Sequence, residues 1–197
     1  MGNAIAFMSM SLDGFIAGPN DEVERLHSWA FAGDTEFRLA DSDEHPFKIS
    51  RASADLLRDT WTTTGASVVG RRTFDLAHAW GGNPPGGGPY FVVTHTVPQE
   101  WAKEGSPFTF VTDGVERAIE QARRAAGEKD VGVSGASIIQ QCLRAGLLDE
   151  IYIDLVPVLL ASGIRLFDDL GMEAIDLEST RVVAGSGVTH LHFRIRR

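Results

Sequence analysis

The sequence predicts an α/β protein: a three-layer α/β/α arrangement with a central, mostly parallel mixed sheet and a C-terminal antiparallel hairpin. Three observations predict it. Short apolar runs of strand length alternate with amphipathic runs of helix length, the pattern of strand–helix units whose sheet is covered on both faces. Small residues stand at two strand-to-helix junctions, "VVGRRTFD" (68–75) and "VGVSGASII" (131–139). The tail "VTHLHFRIRR" alternates Leu191, Phe193 and Ile195 with His190, His192, Arg194 and Arg196, a strand with one dry face, and "AGSG" (184–187) is a hairpin turn into it.

The elements follow in order. Residues 3–11 read as a first strand, and 13–49 as mostly loop with short helical pieces. From Arg51 to Thr63, Ala54, Leu57 and Trp61 share a helix face. "ASVVG" (66–70) is a buried strand and "RTFDLAHAW" (72–80) a helix. "YFVVT" (90–94) and "FTFV" (108–111) are strands. Asp113 is placed to cap the next helix, where Val115, Ala118, Ile119, Ala122 and Ala126 form a stripe that Gly127 ends. "VGV" (131–133) is a short strand, Ala136–Ala145 a helix closed by Gly146, and "EIYIDLVPVLL" (150–160) begins as a strand. The Pro/Gly-rich "WGGNPPGGGPYF" (80–91) is too short to separate one domain from another, so residues 1–197 are expected to form a single domain, with this stretch as a mobile loop.

With 197 residues and 43% hydrophobic residues the chain can bury a sizeable core. No run approaches 18 apolar residues, and "MGNAIAFMSMSLDG" lacks the basic start of a leader, so neither a membrane span nor a signal peptide is expected. Cys142 is the single cysteine, on an apolar stripe with Ile138 and Ile139. It reads as a core residue, and its solitude suits a reducing cytoplasm. A formal charge of −9 argues against nucleic acid, whose binding rests on phosphate neutralisation. His27, His45, His78, His95, His190 and His192 are scattered without a full ligand set, so no metal site is expected.

Both small-residue junctions have the makings of an anion seat. A helix N-terminus presents free N–H groups and partial positive charge. At the first, Arg71 and Arg72 add guanidinium groups suited to phosphate; the competing reading is a glycine turn with two solvated arginines. At the second, Ser134 and Ser137 offer hydroxyls, while Gly135 and Ala136 leave the amides open; the competing reading is a tight turn. Neither matches G-x-G-x-x-G or the P-loop. Thr94 and His95 in "FVVTHTVP" lie just past a strand end, where open α/β sheets face ligands. Asp13 in "SLDG" either makes a turn with Gly14 or offers a carboxylate to a heterocycle. Asp154 raises the same question inside an apolar strand, where a carboxylate is costly without partners.

"MSLDGFIAG", "VVGRRTFD", "VSGAS" and "LRAGLLDEIYIDLVPVLLASGIRLF", in that order before a closing hairpin, resemble the dihydrofolate reductase-like superfamily. They are most similar to the reductase domain at the C-terminus of bacterial riboflavin-biosynthesis deaminase/reductases. The resemblance covers nearly the whole chain and is weakest over 20–50. It implies NADPH as hydride donor. On the matching motifs, Gly70, Arg71, Arg72 and Thr73 would meet its phosphate region, with Thr94 and His95 on the adenosine side. Ser134, Gly135, Ala136, Ser137 and Ile138 would wrap the pyrophosphate.

The implied activity is reduction of a pyrimidine- or pterin-like small molecule, resembling 5-amino-6-(5-phosphoribosylamino)uracil reductase, in a cytoplasmic homodimer. Asp13 is the candidate proton donor or substrate anchor. Trp29, Phe31 and Trp80 could flank a flat ring or simply fill core. Two departures bear on the substrate: Phe15 stands where the riboflavin enzymes carry a basic residue, and Val133 where they often carry Glu. The deaminase's zinc signature needs two or more cysteines, and this chain has one. The rival readings are a dihydrofolate reductase, whose acid Glu24, Asp34 or Glu36 would supply, a nucleotide-binding module without chemistry, and a binding protein for another anion.

Overall fold

The computed structural model describes residues 1–38, 46–168 and 170–196, so His45 lies outside the described residues. Its main sheet has eight strands: β1 (Ala4–Ser11), β5 (Thr64–Gly70), β6 (Tyr90–Val93), β7 (Phe108–Val111), β8 (Asp130–Ser134), β9 (Glu150–Val156), β11 (Leu177–Gly185) and β12 (Val188–Ile195). The spatial order is β11-β12-β9-β1-β8-β5-β6-β7. From β9 to β7 every neighbouring pair is parallel; β12 runs antiparallel to β9, and β11 to β12. The mixed sheet and closing hairpin are therefore as the sequence predicts, but the more deeply buried face of β12 carries Val188, His190 and His192, while Leu191, Phe193 and Ile195, the expected dry face, are partly buried.

Alternation along each strand builds the layers. Ala66 and Val68 of β5, Phe91 of β6 and Val131 and Val133 of β8 face α4 (Val115–Ala126) and α5 (Ala136–Arg144) in the largest core. Of the stripe its spacing predicts, Val115, Ala118, Ile119 and Ala122 are buried there and Ala126 is partly buried. Cys142 is fully buried in the same cluster, and burial pushes its thiol up to about 12, which fits an inert core residue. Val69, Tyr90, Val92 and Phe108 face the other way, onto Phe74 of α3 (Arg71–Leu76). A separate cluster with Leu26, Trp29, Ile49, Val156 and Val188 holds α2 (Arg51–Thr63), whose Ala54 is buried in it and whose Leu57 and Trp61 pack against it. Ser50 caps α2 by accepting a bond from the Ser53 amide at 3.2 Å.

Three local readings are corrected. The described part of the span 13–49 holds three short strands besides its short helical pieces: β2 (Phe15–Ala17), β3 (Thr35–Phe37) and β4 (Phe47–Ile49) accompany α1 (Glu24–His27) and a 3-10 turn (Ser28–Phe31). These pieces are too short for periodicity to reveal. β2 pairs with β10 (Ile164–Arg165), and β3 with β4. The helix read at 72–80 stops at Leu76. His78, Ala79 and Trp80 have φ of 48°, 52° and 48°, a left-handed turn costing about 1–2 kcal/mol per residue. It brings Trp80 to 5.1 Å from Tyr90 and 6.3 Å from Phe108, so that ring is packing. Asp113 does not cap α4; Gly114, at φ 97°, occupies the N-cap.

The hairpin packs an aromatic pair against the second face of the sheet. His192 stacks on Tyr152 at 3.5 Å between ring centroids, and Tyr152 donates to Glu150 at 2.6 Å. Burial lowers the His192 pKa to about 4. Its folded value lies below its unfolded 6.5, so protons bind the unfolded chain first and stability falls as pH drops from 6.5 towards 4. His192→Phe keeps a ring on Tyr152 and removes this titration. Thermal melts across that window should show a shallower acid loss in the variant than in the parent.

Candidate functional site

Parallel strands deliver their C-termini to one edge, and the sequence-predicted residues gather there. Gly70 ends β5 and is the N-cap of α3, while Gly135 follows β8 and is the N-cap of α5; no side chain caps either helix. The N–H groups at the start of α5, on Ala136, Ser137 and Ile138, thus lack a side-chain acceptor. The two junctions touch. A Cβ on Gly135 would stand 2.9 Å from Thr73 Oγ1, and one on Gly70 would stand 3.1 Å from Ile138 Cγ1. Gly135 also has φ 93°, which an L side chain rarely adopts. Its amide meets Met8 Sδ at 3.3 Å, and Ser134 Oγ donates to the Phe7 carbonyl at 3.3 Å, tying the turn to β1.

The remaining predicted residues frame this seat. Arg71 holds Asp75 through Nε at 2.8 and 2.9 Å and donates to the Thr96 carbonyl at 3.0 Å. Arg72 grips both oxygens of Asp21 at 2.9 and 2.7 Å, and that pairing raises its pKa. Thr94 is buried and donates to the Thr96 carbonyl at 2.8 Å, whereas His95 is exposed. Ser137 is exposed, with Gln141 donating to its Oγ at 3.0 Å.

Asp13 makes the turn with Gly14, and its carboxylate is hydrogen-bonded as well. Gly14 N–H donates to Ser11 O at 3.0 Å, closing the turn. The carboxylate accepts from Ser11 Oγ at 2.6 Å and from the amides of Leu160 at 3.1 Å and Ala161 at 2.7 Å. Led by the Ser11 bond, these donors hold its pKa down at about 2. The carboxylate thereby ties the β1–β2 turn to residues 160–161. Beside it, the Arg165 guanidinium lies 4.4 Å over the Phe15 ring and donates to the Asp13 carbonyl at 3.1 Å.

The sequence alone leaves Asp154 open and offers no role for His190. Asp154 Oδ1 lies 2.6 Å from His190 Nδ1, and His190 Nε2 lies 2.8 Å from Ser53 Oγ. Neither His190 nor His192 faces a metal set, and among the described residues no group of three or more His, Cys, Asp or Glu could hold one. Trp29 is buried edge-on to His190 at 5.4 Å, and Phe31 is exposed against Phe47 at 5.8 Å. The acids Glu24, Asp34 and Glu36 are on the surface side of their segments rather than in the core. Among the described residues no helix is long and apolar enough to cross a membrane.

The sheet order and edge site define a dihydrofolate reductase-like fold. A family model for the RibD C-terminal domain matches residues 3–191, and the chain belongs to that family. The protein named "Uncharacterized protein YwjB" from Bacillus subtilis strain 168 is 22% identical over 180 residues, covering 86% of this chain and 84% of its own. A putative riboflavin biosynthesis protein from Shewanella sp. PV-4 superposes with a TM-score of 0.73 at 24% identity, over 99% of both chains. A Thermotoga maritima deaminase/5-amino-6-(5-phosphoribosylamino)uracil reductase gives 0.60 at 12% identity, over 99% of this chain and 57% of that one. Enterococcus faecalis dihydrofolate reductase, solved with NADP(H) and RAB-propyl, gives 0.55 at 15%, over 100% and 98%.

Gly135 is the most constrained residue of the seat. Gly135→Ala forces a methyl group against Thr73 and a strained φ, and should cost about 1–3 kcal/mol. Urea unfolding should show a lower midpoint with an unchanged slope; an unchanged midpoint would mean the two junctions do not press together.

Proposed function

We propose that this chain is an NADPH-dependent reductase of a pyrimidine- or pterin-like heterocycle, of the kind exemplified by 5-amino-6-(5-phosphoribosylamino)uracil reductase. The observation that carries the reading is the contact between two uncapped glycine junctions at the sheet edge, a cradle that a single Cβ would fill. Gly70–Thr73 and Ser134–Ile138 would hold the phosphates of the cofactor, and Thr94 and His95 its adenosine side. The bound nicotinamide would supply the hydride; the chain supplies orientation and a desolvated edge.

The two arginines are paired with surface acids, so each would exchange its carboxylate for the cofactor's phosphate on binding. The substrate assignment stops at the heterocycle. Val133 is fully buried in the core, and Phe15 is buried beneath Arg165, so neither side chain is free to hold a ribosyl phosphate.

The test is titration with NADPH and NADH, followed by nicotinamide fluorescence. NADPH should bind the more tightly. Arg71→Ala and Arg72→Ala should each weaken it by about ten-fold, and Ser134→Asp should weaken it further by placing a carboxylate in the anion seat. Failure of both nucleotides to bind would sink the reductase reading.

A further inference from the structure

We infer that the ion pair between Asp21 and Arg72 is a latch that an anion opens: phosphate on Arg72 displaces the Asp21 carboxylate and frees the loop 18–22 from α3. The inference deepens the reading above and rests on it for the phosphate.

The two arginines of the first junction are paired in different ways. Arg71 holds Asp75, four residues on in the same helix, so exchanging that acid moves no other segment. Arg72 holds Asp21, 51 residues away in sequence. Its Nε meets Asp21 Oδ1 at 2.9 Å and its Nη2 meets Oδ2 at 2.7 Å. This is the two-pronged grip that a guanidinium offers carboxylate and phosphate alike. The Arg72 side chain is 66% exposed and that of Asp21 18%. The partner open to solvent is therefore the cation, which an incoming anion can reach.

Asp21 is carried by a preformed loop. Gly18 N–H donates to the Glu22 carbonyl at 2.8 Å, and Asp21 N–H to the Gly18 carbonyl at 3.2 Å. The Glu22 carboxylate folds back to accept from the Asn20 backbone amide and from its side chain, each at 2.8 Å. That fold requires Gly18, where a Cβ would stand 2.3 Å from Glu22 Oε2. Asp21 has φ 68°, a left-handed conformation that Asp and Asn adopt more readily than other side chains. Among the described residues, the hydrogen bonds of 18–22 otherwise close within the loop, so the Arg72 pair is its polar tie to α3. The base is fixed separately. Ala17 pairs with Ile164, and a Cβ on Gly163 would stand 2.0 Å from the Ala17 carbonyl oxygen. A rigid loop thus has a held base and a single polar catch at its tip.

A carboxylate and a phosphate are both acceptors, and they repel each other, so the same edge of one guanidinium holds one or the other. Linkage makes the effect reciprocal: the factor by which docking of the loop weakens the anion is the factor by which the anion weakens docking. An exposed ion pair supports a factor of about two- to five-fold. That shifts the loop without closing the seat to its ligand.

Hydrogen exchange at the Gly18, Asn20 and Asp21 amides, followed by NMR in the full chain, reads the latch. Arg72→Ala and Asp21→Asn should each speed it. Asparagine keeps the size and the left-handed φ of Asp21, so this variant isolates the charge. Asp75→Asn, which frees only Arg71, should leave it unchanged. In the wild-type protein, saturating inorganic pyrophosphate or NADPH should speed exchange at these amides, whereas a ligand that only packed on the loop would slow it. In Asp21→Asn neither ligand should speed it further, and the anion should bind about two- to five-fold more tightly. Unchanged exchange in Asp21→Asn, slower exchange with either anion, or unchanged anion affinity in Asp21→Asn each overturns the latch. Release of the loop by pyrophosphate, with no binding of either nucleotide, upholds the latch and overturns the reductase reading. NADPH binding that leaves exchange at 18–22 unchanged does the reverse.

Discussion

Everything at the site depends on the parallel pairing of β1 with its two neighbours. Ala6 faces Val133 on one side and Ile151 on the other, and all three strands run the same way. Their C-terminal ends therefore reach the same edge, where Ser11, Ser134 and Val156 emerge beside Gly70 of β5. Parallel strands require crossovers, and the crossovers start as helices whose N-termini face that edge. The proposed anion seat is thus a consequence of topology before it is a choice of residues. Glycine then sets its packing: β5 and β8 are adjacent, and the missing Cβ at Gly70 and Gly135 lets Ile138 and Thr73 fill the space between the junctions.

The antiparallel hairpin completes the edge in a different way. β12 runs against β9, so its beginning lies beside the end of β9, and His190 is paired across from Asp154. Residues 36 positions apart in sequence meet as direct neighbours. The N-terminus of α2 arrives from the opposite direction with Ser50 and Ser53. Four polar side chains from three elements so assemble beneath Trp29, inside an otherwise apolar cluster that includes Leu26, Ile49 and Val188. In such surroundings each unmade hydrogen bond is costly, which favours one geometry over its alternatives.

Much of this is legible in the sequence where periodicity is long or a turn needs glycine. The spacing of apolar residues places α2 at Arg51–Thr63, and it has those bounds; most of the α4 stripe is buried as its spacing requires. The two junctions are recognisable because strand, small residue and helix start are local signals. What stays hidden is set by contacts distant in sequence. β2, β3, β4 and β10 have two or three residues each and exist only through their partners. The left-handed turn at 78–80 contradicts helix propensity because Trp80 has Tyr90 and Phe108 to reach. Phe15 reads as the loss of a cation, and nothing local announces that Arg165 lies over its ring.

The two aspartates show why residue type alone does not assign the site. Asp13 sits in the more suggestive motif, beside a glycine at a strand end, and Asp154 in an apolar strand. Their surroundings differ. Asp13 has donors on both oxygens, from Ser11, Leu160 and Ala161, and so ties its turn to a distant loop. Asp154 meets the buried His190 ring through one oxygen, and 28% of its side chain is exposed. A buried polar group needs a protein partner, whereas an oxygen open to solvent has water. The difference lies in where residues 160, 161 and 190 fall in space, which neither motif announces.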